Sequence, residues 1–216
     1  MTVSKPEKPG SGAKNPHPGA GSSRQNGVRS REDVVTAAGK LFSTRGYHGT
    51  SMRDLARELG LIGSSLYSHI DSKEELLVEV VERGAALFQK SAEAALTVDG
   101  PATNRLKALV AGHVDVILNH RDQVRTFLYE ADALEGAHRA RVLAARDRYE
   151  GAFRQVLLEG KNAGLLRRTI DPTLSAIFVL SILNAVERWY DPGGRLDRGR
   201  LVDEILVFAL TGINAP

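Results

Sequence analysis

Residues 50–73 read TSMRDLARELGLIGSSLYSHIDSK, and this stretch decides the fold. Thr50-Ser51 is a natural N-cap pair for a helix that runs to Gly60, whose missing Cβ suits the left-handed position after a helix end. A short helix follows at about 63–69, and Asp71-Ser72 caps a long one. Ala56, Gly60 and Leu66 are separated by four and then six residues. At that spacing a small residue lets two helices cross closely, a glycine makes the turn, and an aliphatic residue anchors the second helix to a core. This is helix-turn-helix spacing. Many helical hairpins share it by chance, so the surrounding residues carry the decision.

With Leu66 buried, the short helix turns Ser64, Ser65, Tyr67, Ser68 and His69 to solvent. These are short donors and one aromatic, with almost no like-sign repulsion toward phosphate. Thr50, Ser51 and Arg53 at one helix start and Lys73 at the next place hydroxyls, backbone N–H groups and cationic side chains where anions are favoured. Capping is the plainer role of Thr50, Ser51 and Ser72, and it is compatible with phosphate contact.

Working outward, apolar residues recur at helical spacing from Arg31 onward, and no alternating β-branched run appears between turn signals. The expectation is an all-α chain of about nine helices. They fall near 31–45, 52–59, 63–69, 73–96, 101–118, 122–134, 138–163, 172–190 and 197–211. Gly100-Pro101 and Asp171-Pro172 read as helix starts, and DPGGR as a stop. The expected units are a helix-turn-helix domain over 28–75 and an effector-binding and dimerisation bundle over 76–216. Residues 1–27 hold four of the eight prolines and a Gly/Ser-rich stretch, and no Leu, Ile, Phe, Tyr or Trp precedes Leu41. Such a segment reads as a disordered tail.

The net charge of +3 is uneven: residues 1–30 carry five Lys/Arg against Glu7, a net of +4, which leaves −1 for the rest. A basic arm beside a near-neutral body suits a polyanion, although basic tails also serve as solubilising leaders. Arg29 and Arg31, just before the first helix, are placed to track a minor groove; solvated tail is their alternative reading.

Several function classes are disfavoured. Without cysteine there is no disulfide framework, thiolate metal site or cysteine nucleophile. The longest uncharged run, Pro172–Val186, spans 15 residues against the roughly 20 of a membrane helix, and the first residues lack the apolar stretch of a secretory signal. A cytoplasmic protein is expected. Six histidines are scattered without metal-ligand spacing, so no metal or other cofactor is expected, and neither a phosphate-cradling glycine loop nor a G-x-S-x-G elbow occurs. An all-α enzyme would need a converging acid, base or nucleophile set, which the sequence does not offer.

In the rear bundle, polar residues interrupt apolar stripes. His113 breaks Leu106, Leu109, Val110, Val114, Ile117. Arg146 shares a face with Val142, Tyr149, Phe153 and Val156. Ser181, Asn184 and Arg188 lie on a helix otherwise apolar nearly all round. A dry core does not keep an unpaired arginine, so Arg146 and Arg188 must pair, snorkel or face a wet cavity. His113 as a satisfied core histidine, Arg146 paired with Glu130 or Asp132, and Asn184 at a dimer seam are the plain alternatives. Tyr129, Glu130, Tyr149, Phe153 and Trp189 complete the candidate effector-facing set, Trp189 either sealing a pocket mouth or filling a seam. The surplus apolar faces of the last two helices, with Leu201, Val202, Ile205 and Phe208, are expected to meet a second copy.

The stretch REDVVTAAGKLFSTRGYHGTSMRDLARELGLIGSSLYSHIDSKEELLVEVV, residues 31–81, resembles the N-terminal domain of the TetR family of bacterial repressors. It shares the opening A-x-x-L-F-x-x-x-G-Y-x-x-T-S, the L-Y-x-H recognition helix and the S-K-E-x-L exit. It departs at Ile62, Gly63, Ser64, Ser68 and Ile70, which bears on the operator rather than the fold. The resemblance implies a homodimer on double-stranded, pseudo-palindromic operator DNA, with one recognition helix per major groove. Tyr67, His69, Thr50 and Lys73 would then hold phosphates, and Ser64, Ser65 and Ser68 would lie nearest the bases.

A narrower resemblance follows from W-Y-x-P-G-G-x-L, here Trp189 to Leu196, and from RDRYEGAFRQVLLEGKNAGLLR, residues 146–167. Both are similar to TetR-family repressors of fatty-acid, phenylacetate and steroid catabolism that respond to acyl-CoA thioesters. What this implies is a small hydrophobic effector, an acyl-CoA, whose phosphates suit Arg146 and Arg188 and whose binding releases DNA. A drug- or antibiotic-responsive repressor of an efflux gene is the alternative within the class.

Overall fold

The computed structural model describes residues 1–2 and 30–213. The tail expected over 1–27 falls almost wholly outside the described residues, as does Arg29. The described helices are α1 (Arg31–Arg45), α2 (Met52–Leu59), α3 (Gly63–Leu66), α4 (Lys73–Leu96), α5 (Ala102–Asn119), α6 (Arg121–Tyr129), α7 (Gly136–Asn162), α8 (Pro172–Trp189) and α9 (Arg198–Ile213), with a 3-10 turn at Ala131–Ala133 after α6. No strand occurs among the described residues.

Local chemistry sets the helix starts. Ser30 with Asp33 and Ser51 with Asp54 form reciprocal caps at α1 and α2. Ser72 caps α4 through the Glu75 N–H, and Asp171 caps α8 just before Pro172. Each such cap contributes about 1 kcal/mol. Gly60 ends α2 at φ 67°, in the left-handed region.

Two helices are shorter than the sequence suggests. Regular α3 stops at Leu66, and residues 67–69 continue as a turn in which the His69 N–H donates to the Leu66 carbonyl at 3.0 Å. The Ser68 hydroxyl donates to the Ser65 carbonyl at 2.8 Å, an example of serine competing with the helical ladder. α6 gives way to the 3-10 turn at Glu130, whose side chain is drawn toward the first unit.

One apolar core runs through both units. Val34, Ala38 and Phe42 of α1 meet Leu55 of α2, Leu66 of α3 and Leu76, Leu77 and Val80 of α4, all fully or nearly fully buried. Further along α4, Phe88 anchors an aromatic cluster, with ring centroids 4.8 Å from His113, 5.2 Å from Tyr149 and 5.8 Å from Phe127. The α4–α6 crossing is close because position 84 has no side chain. A Cβ on Gly84 would stand 2.8 Å from the Phe127 Cβ and 3.0 Å from the Gln123 carbonyl oxygen. α4 therefore belongs to both units.

The outer faces of α8 and α9 remain apolar. Phe178 is 63% and Phe208 69% exposed, with Leu174, Ile177 and Val207 beside them, and a shallow apolar groove runs between Phe178, Ile182 and Phe208. A face this apolar needs a partner, and the sequence expectation of pairing through the last two helices fits it.

Candidate functional site

The helix-turn-helix presents Ser64, Ser65, Tyr67 and Ser68 to solvent, with Arg53 exposed beside them and Ser51 at the α2 N-terminus. Tyr67 is 56% exposed. Other expected DNA contacts are engaged within the protein. Thr50 is 1% exposed, and its hydroxyl donates to the Gly46 carbonyl at 2.9 Å and the Leu41 carbonyl at 3.4 Å. Its side chain latches the α1–α2 turn rather than facing phosphate. Arg31 pairs with Glu75 and Glu79 of α4 and donates to the His69 carbonyl at 2.6 Å, so it braces α3 against α4 instead of tracking a groove. Lys73 donates to the carbonyls of Tyr47 and Thr50, both at 3.0 Å, with its ammonium 4.1 Å above the Tyr47 ring. One of its three N–H donors is left for phosphate.

The rear unit holds a half-open cavity of about 330 Å³ between α4, α5, α6, α7 and α8, with the partly exposed Ile177 and Ser181 at its edge. Phe88, Phe127, Leu128, Ile177 and Leu180 make it largely apolar, and His113, Arg146, Tyr149, Ser181, Asn184 and Glu150, the last paired with Arg154 at 3.2 Å, supply its polar groups. His113 is 1% exposed. Its Nδ1 lies 3.0 Å from the Tyr149 hydroxyl, and its Nε2 has no hydrogen-bond partner. Burial pushes the imidazole down to about 3, only partly opposed by the Asn184 amide, so the ring is neutral near pH 7. Burial likewise pushes the Tyr149 phenol up.

Arg146 spans one wall. It donates to the Phe127 carbonyl at 2.8 Å and the Leu128 carbonyl at 3.4 Å, lies 5.2 Å from the Phe127 ring centre, and stands 3.9 Å from Asp132. Burial lowers its affinity for the proton, and Asp132 acts in the opposite sense. Of the alternatives the sequence leaves open, Arg146 combines two: it lines the cavity and stands near Asp132, while carbonyl oxygens and an aromatic face meet most of its donors.

The remaining candidates lie off this cavity. Phe153 is fully buried behind Tyr149, ring to ring at 5.6 Å. Glu130 turns away to accept the Tyr47 N–H. Tyr129 and Trp189 are 44% and 56% exposed, and Arg188 is exposed on the outside of α8. Sequence reasoning settles on Arg188 and misses its neighbour. Glu187 is 1% exposed, with neither carboxylate oxygen hydrogen-bonded, and it is balanced by Arg121 at 3.8 Å and Arg125 at 3.7 Å from α6. The missed signal is that 187 continues the buried stripe of Leu183, Val186 and Tyr190. The α4 contributions, Ala85 and Phe88, are missed as well. No group of metal-binding side chains occurs among the described residues.

Residues 34–80 match the family described as bacterial regulatory proteins, tetR family, and residues 99–213 match the tetracyclin repressor-like C-terminal domain. The HTH-type transcriptional repressor KstR2 of Rhodococcus jostii is 31% identical over 190 residues, covering 86% of this chain and 92% of that protein. The structure of the ketosteroid transcriptional regulator KstR2 of Mycobacterium tuberculosis is similar with TM-score 0.80 at 26% identity, over 86% of this chain and 95% of that one. AibR in complex with isovaleryl coenzyme A and operator DNA gives 0.77 at 26% identity, over 83% and 97%. With its helix-turn-helix unit and its rear bundle both matched, this chain belongs to the TetR family of bacterial transcriptional regulators.

Proposed function

We propose that the protein is a homodimeric transcriptional repressor, not an enzyme, released from its operator by an acyl-coenzyme A thioester. The carrying observation is the half-open cavity, whose largely apolar walls hold a neutral His113 with its Nε2 near the Asn184 amide but without a formed hydrogen bond. When Tyr149 donates to Nδ1, Nε2–H becomes a donor for an uncharged acceptor such as a thioester carbonyl. The likeness to AibR, solved with isovaleryl coenzyme A and operator DNA, and to KstR2 repressors supports the same reading. No described helix is long and apolar enough to cross a membrane, which is compatible with work on DNA in the cytoplasm.

On this reading residues 28–75 read DNA, with Ser64, Ser65 and Ser68 nearest the bases and Ser51, Arg53, Tyr67, His69 and Lys73 toward phosphate. Residues 76–216 bind the effector and the second copy. The effector shifts α4, which is shared by both units, and so alters the spacing of the paired recognition helices.

The test is an operator fragment selected from random-sequence DNA, titrated with short, branched, aromatic and steroid acyl-CoAs and with the corresponding free acids. At least one thioester should release the DNA saturably and better than its acid. Release by none of them overturns the acyl-CoA effector, and release by lipophilic drugs instead favours the efflux reading.

A further inference from the structure

At roughly 30 Å³ per water-sized group, a cavity of about 330 Å³ accommodates about eleven such groups. That is room for an acyl end and too little for a whole coenzyme A thioester. On the reading proposed above, the pantetheine and nucleotide must therefore lie outside it. A second cavity of about 500 Å³ lies between α4 and α7, and Ala85 and Ala145 line both. One alanine from each helix thus forms the shared wall, and neither side chain extends past Cβ.

The outer groove, between α4 and α7, is lined by two cations, Arg141 and Arg148, and one acid, Glu82, whereas the first, inner cavity carries Arg146 and Glu150. Arg148 stands on the groove, exposed, and makes no ion pair or hydrogen bond with any described residue. Arg141 also lines it, 3.3 Å from Glu82 and 2.7 Å from the His138 Nδ1. Its floor is Ala86, Val142 and Ala144. A guanidinium presents paired N–H donors that match phosphate oxygens, and Arg148 offers its donors without first breaking another contact.

We propose that the groove between α4 and α7 seats the phosphate-bearing arm of the effector, with the acyl end passing between Ala85 and Ala145 into the inner cavity. The inference rests on the acyl-CoA reading and adds to it the location of the polar arm. It explains how a regulator distinguishes a thioester from a free acid of the same carbon skeleton, since only the thioester reaches Arg148. It also places the ligand across the α4–α7 seam, where occupancy bears directly on α4.

The test uses the full chain and isothermal titration calorimetry with isovaleryl-, octanoyl- and phenylacetyl-coenzyme A, each beside its N-acetylcysteamine thioester, which keeps the acyl end and lacks the nucleotide. Arg148→Glu should weaken the coenzyme A thioester by about tenfold and leave the N-acetylcysteamine thioester within about twofold. Ala144→Trp, which fills the outer groove at an exposed position that does not line the inner cavity, should do the same. Thermal melts confirm that both variants fold. Wild-type affinity for the coenzyme A thioester in both variants overturns the groove and leaves the acyl-CoA reading standing. If no thioester binds the wild-type chain, the effector reading falls and the groove with it.

Discussion

The Glu130 carboxylate, at the end of α6 in the rear unit, accepts the backbone N–H of Tyr47 in the front unit at 2.7 Å. It is one of three such links from one helix. Ser43 donates to Asp122 at 2.8 Å and Thr126 donates to the Gly39 carbonyl at 3.3 Å, so positions 122, 126 and 130 form an i, i+4, i+8 row on α1 and its following turn. A neighbouring row, Arg121 and Arg125, faces the buried Glu187 of α8. α6 thus ties the DNA-reading unit to the helix that carries Asn184 of the cavity.

Removing one tie should be measurable. In Glu130→Ala the Tyr47 N–H loses its acceptor, which costs about 1 kcal/mol in unfolding free energy. The drop in operator affinity on adding effector should also shrink, because the front unit then follows α6 less closely. Urea unfolding and DNA-binding anisotropy, with and without effector, check the two effects. An unchanged urea midpoint together with an undiminished effector response contradicts the tie.

His113 makes acid stability a readout of the cavity. The unfolded chain takes up a proton near the ordinary histidine value of about 6.5, whereas the folded site resists it down to about 3. Between those limits the unfolded state binds more protons, so stability falls as pH falls, by up to about 1.4 kcal/mol per pH unit. In His113→Phe, which keeps an aromatic ring against Phe88, that contribution to the slope should vanish. The comparison is unfolding free energy from pH 7 to pH 4 for both proteins. Parallel curves refute a neutral buried imidazole.

The outer faces of α8 and α9 give a test of assembly. Phe208 is 69% exposed in the single chain, so Phe208→Glu costs the isolated fold little, whereas its charge has no acceptable place in an apolar symmetric interface. Light scattering should show monomers at concentrations where the wild type is a dimer, with helical content by circular dichroism unchanged. A dimer from this variant removes α9 from the interface.

Most of the fold is legible in the sequence because caps and periodicity are local. Ser51, Gly60, Ser72 and Asp171 mark helix ends by their own chemistry, and α1 and α4 run as their patterns indicate. The site is legible mainly where a polar residue interrupts an apolar stripe, which is how His113, Arg146 and Asn184 are found, with Tyr149 entering as a member of the stripe that Arg146 shares. Periodicity gives the face of a helix and not its neighbour. It therefore cannot show that Thr50 is folded onto the Gly46 carbonyl, that Glu130 faces Tyr47, or that Glu187 rather than Arg188 is the buried charge. Those facts depend on helix pairs brought together over long sequence separations.

The same distinction separates two cations of the DNA-reading unit. Arg53 is exposed with no protein partner among the described residues, so Arg53→Ala should leave the melting temperature unchanged and weaken binding to operator and random DNA alike. The slope of log affinity against log salt should fall by about one, as loss of a single phosphate contact requires. Lys73 holds the Tyr47 and Thr50 carbonyls, so Lys73→Ala unties the α1–α2 turn from α4. It should lower stability by about 1–3 kcal/mol as well as DNA affinity, and the affinity loss should exceed that of Arg53→Ala because the recognition unit is no longer held in place. Lys73→Arg retains the charge but not the compact ammonium that fits between two carbonyls, and should restore the salt slope more fully than the stability. If Lys73→Ala melts like the wild type and loses only DNA affinity, the lysine is a phosphate ligand and its two carbonyl contacts are incidental.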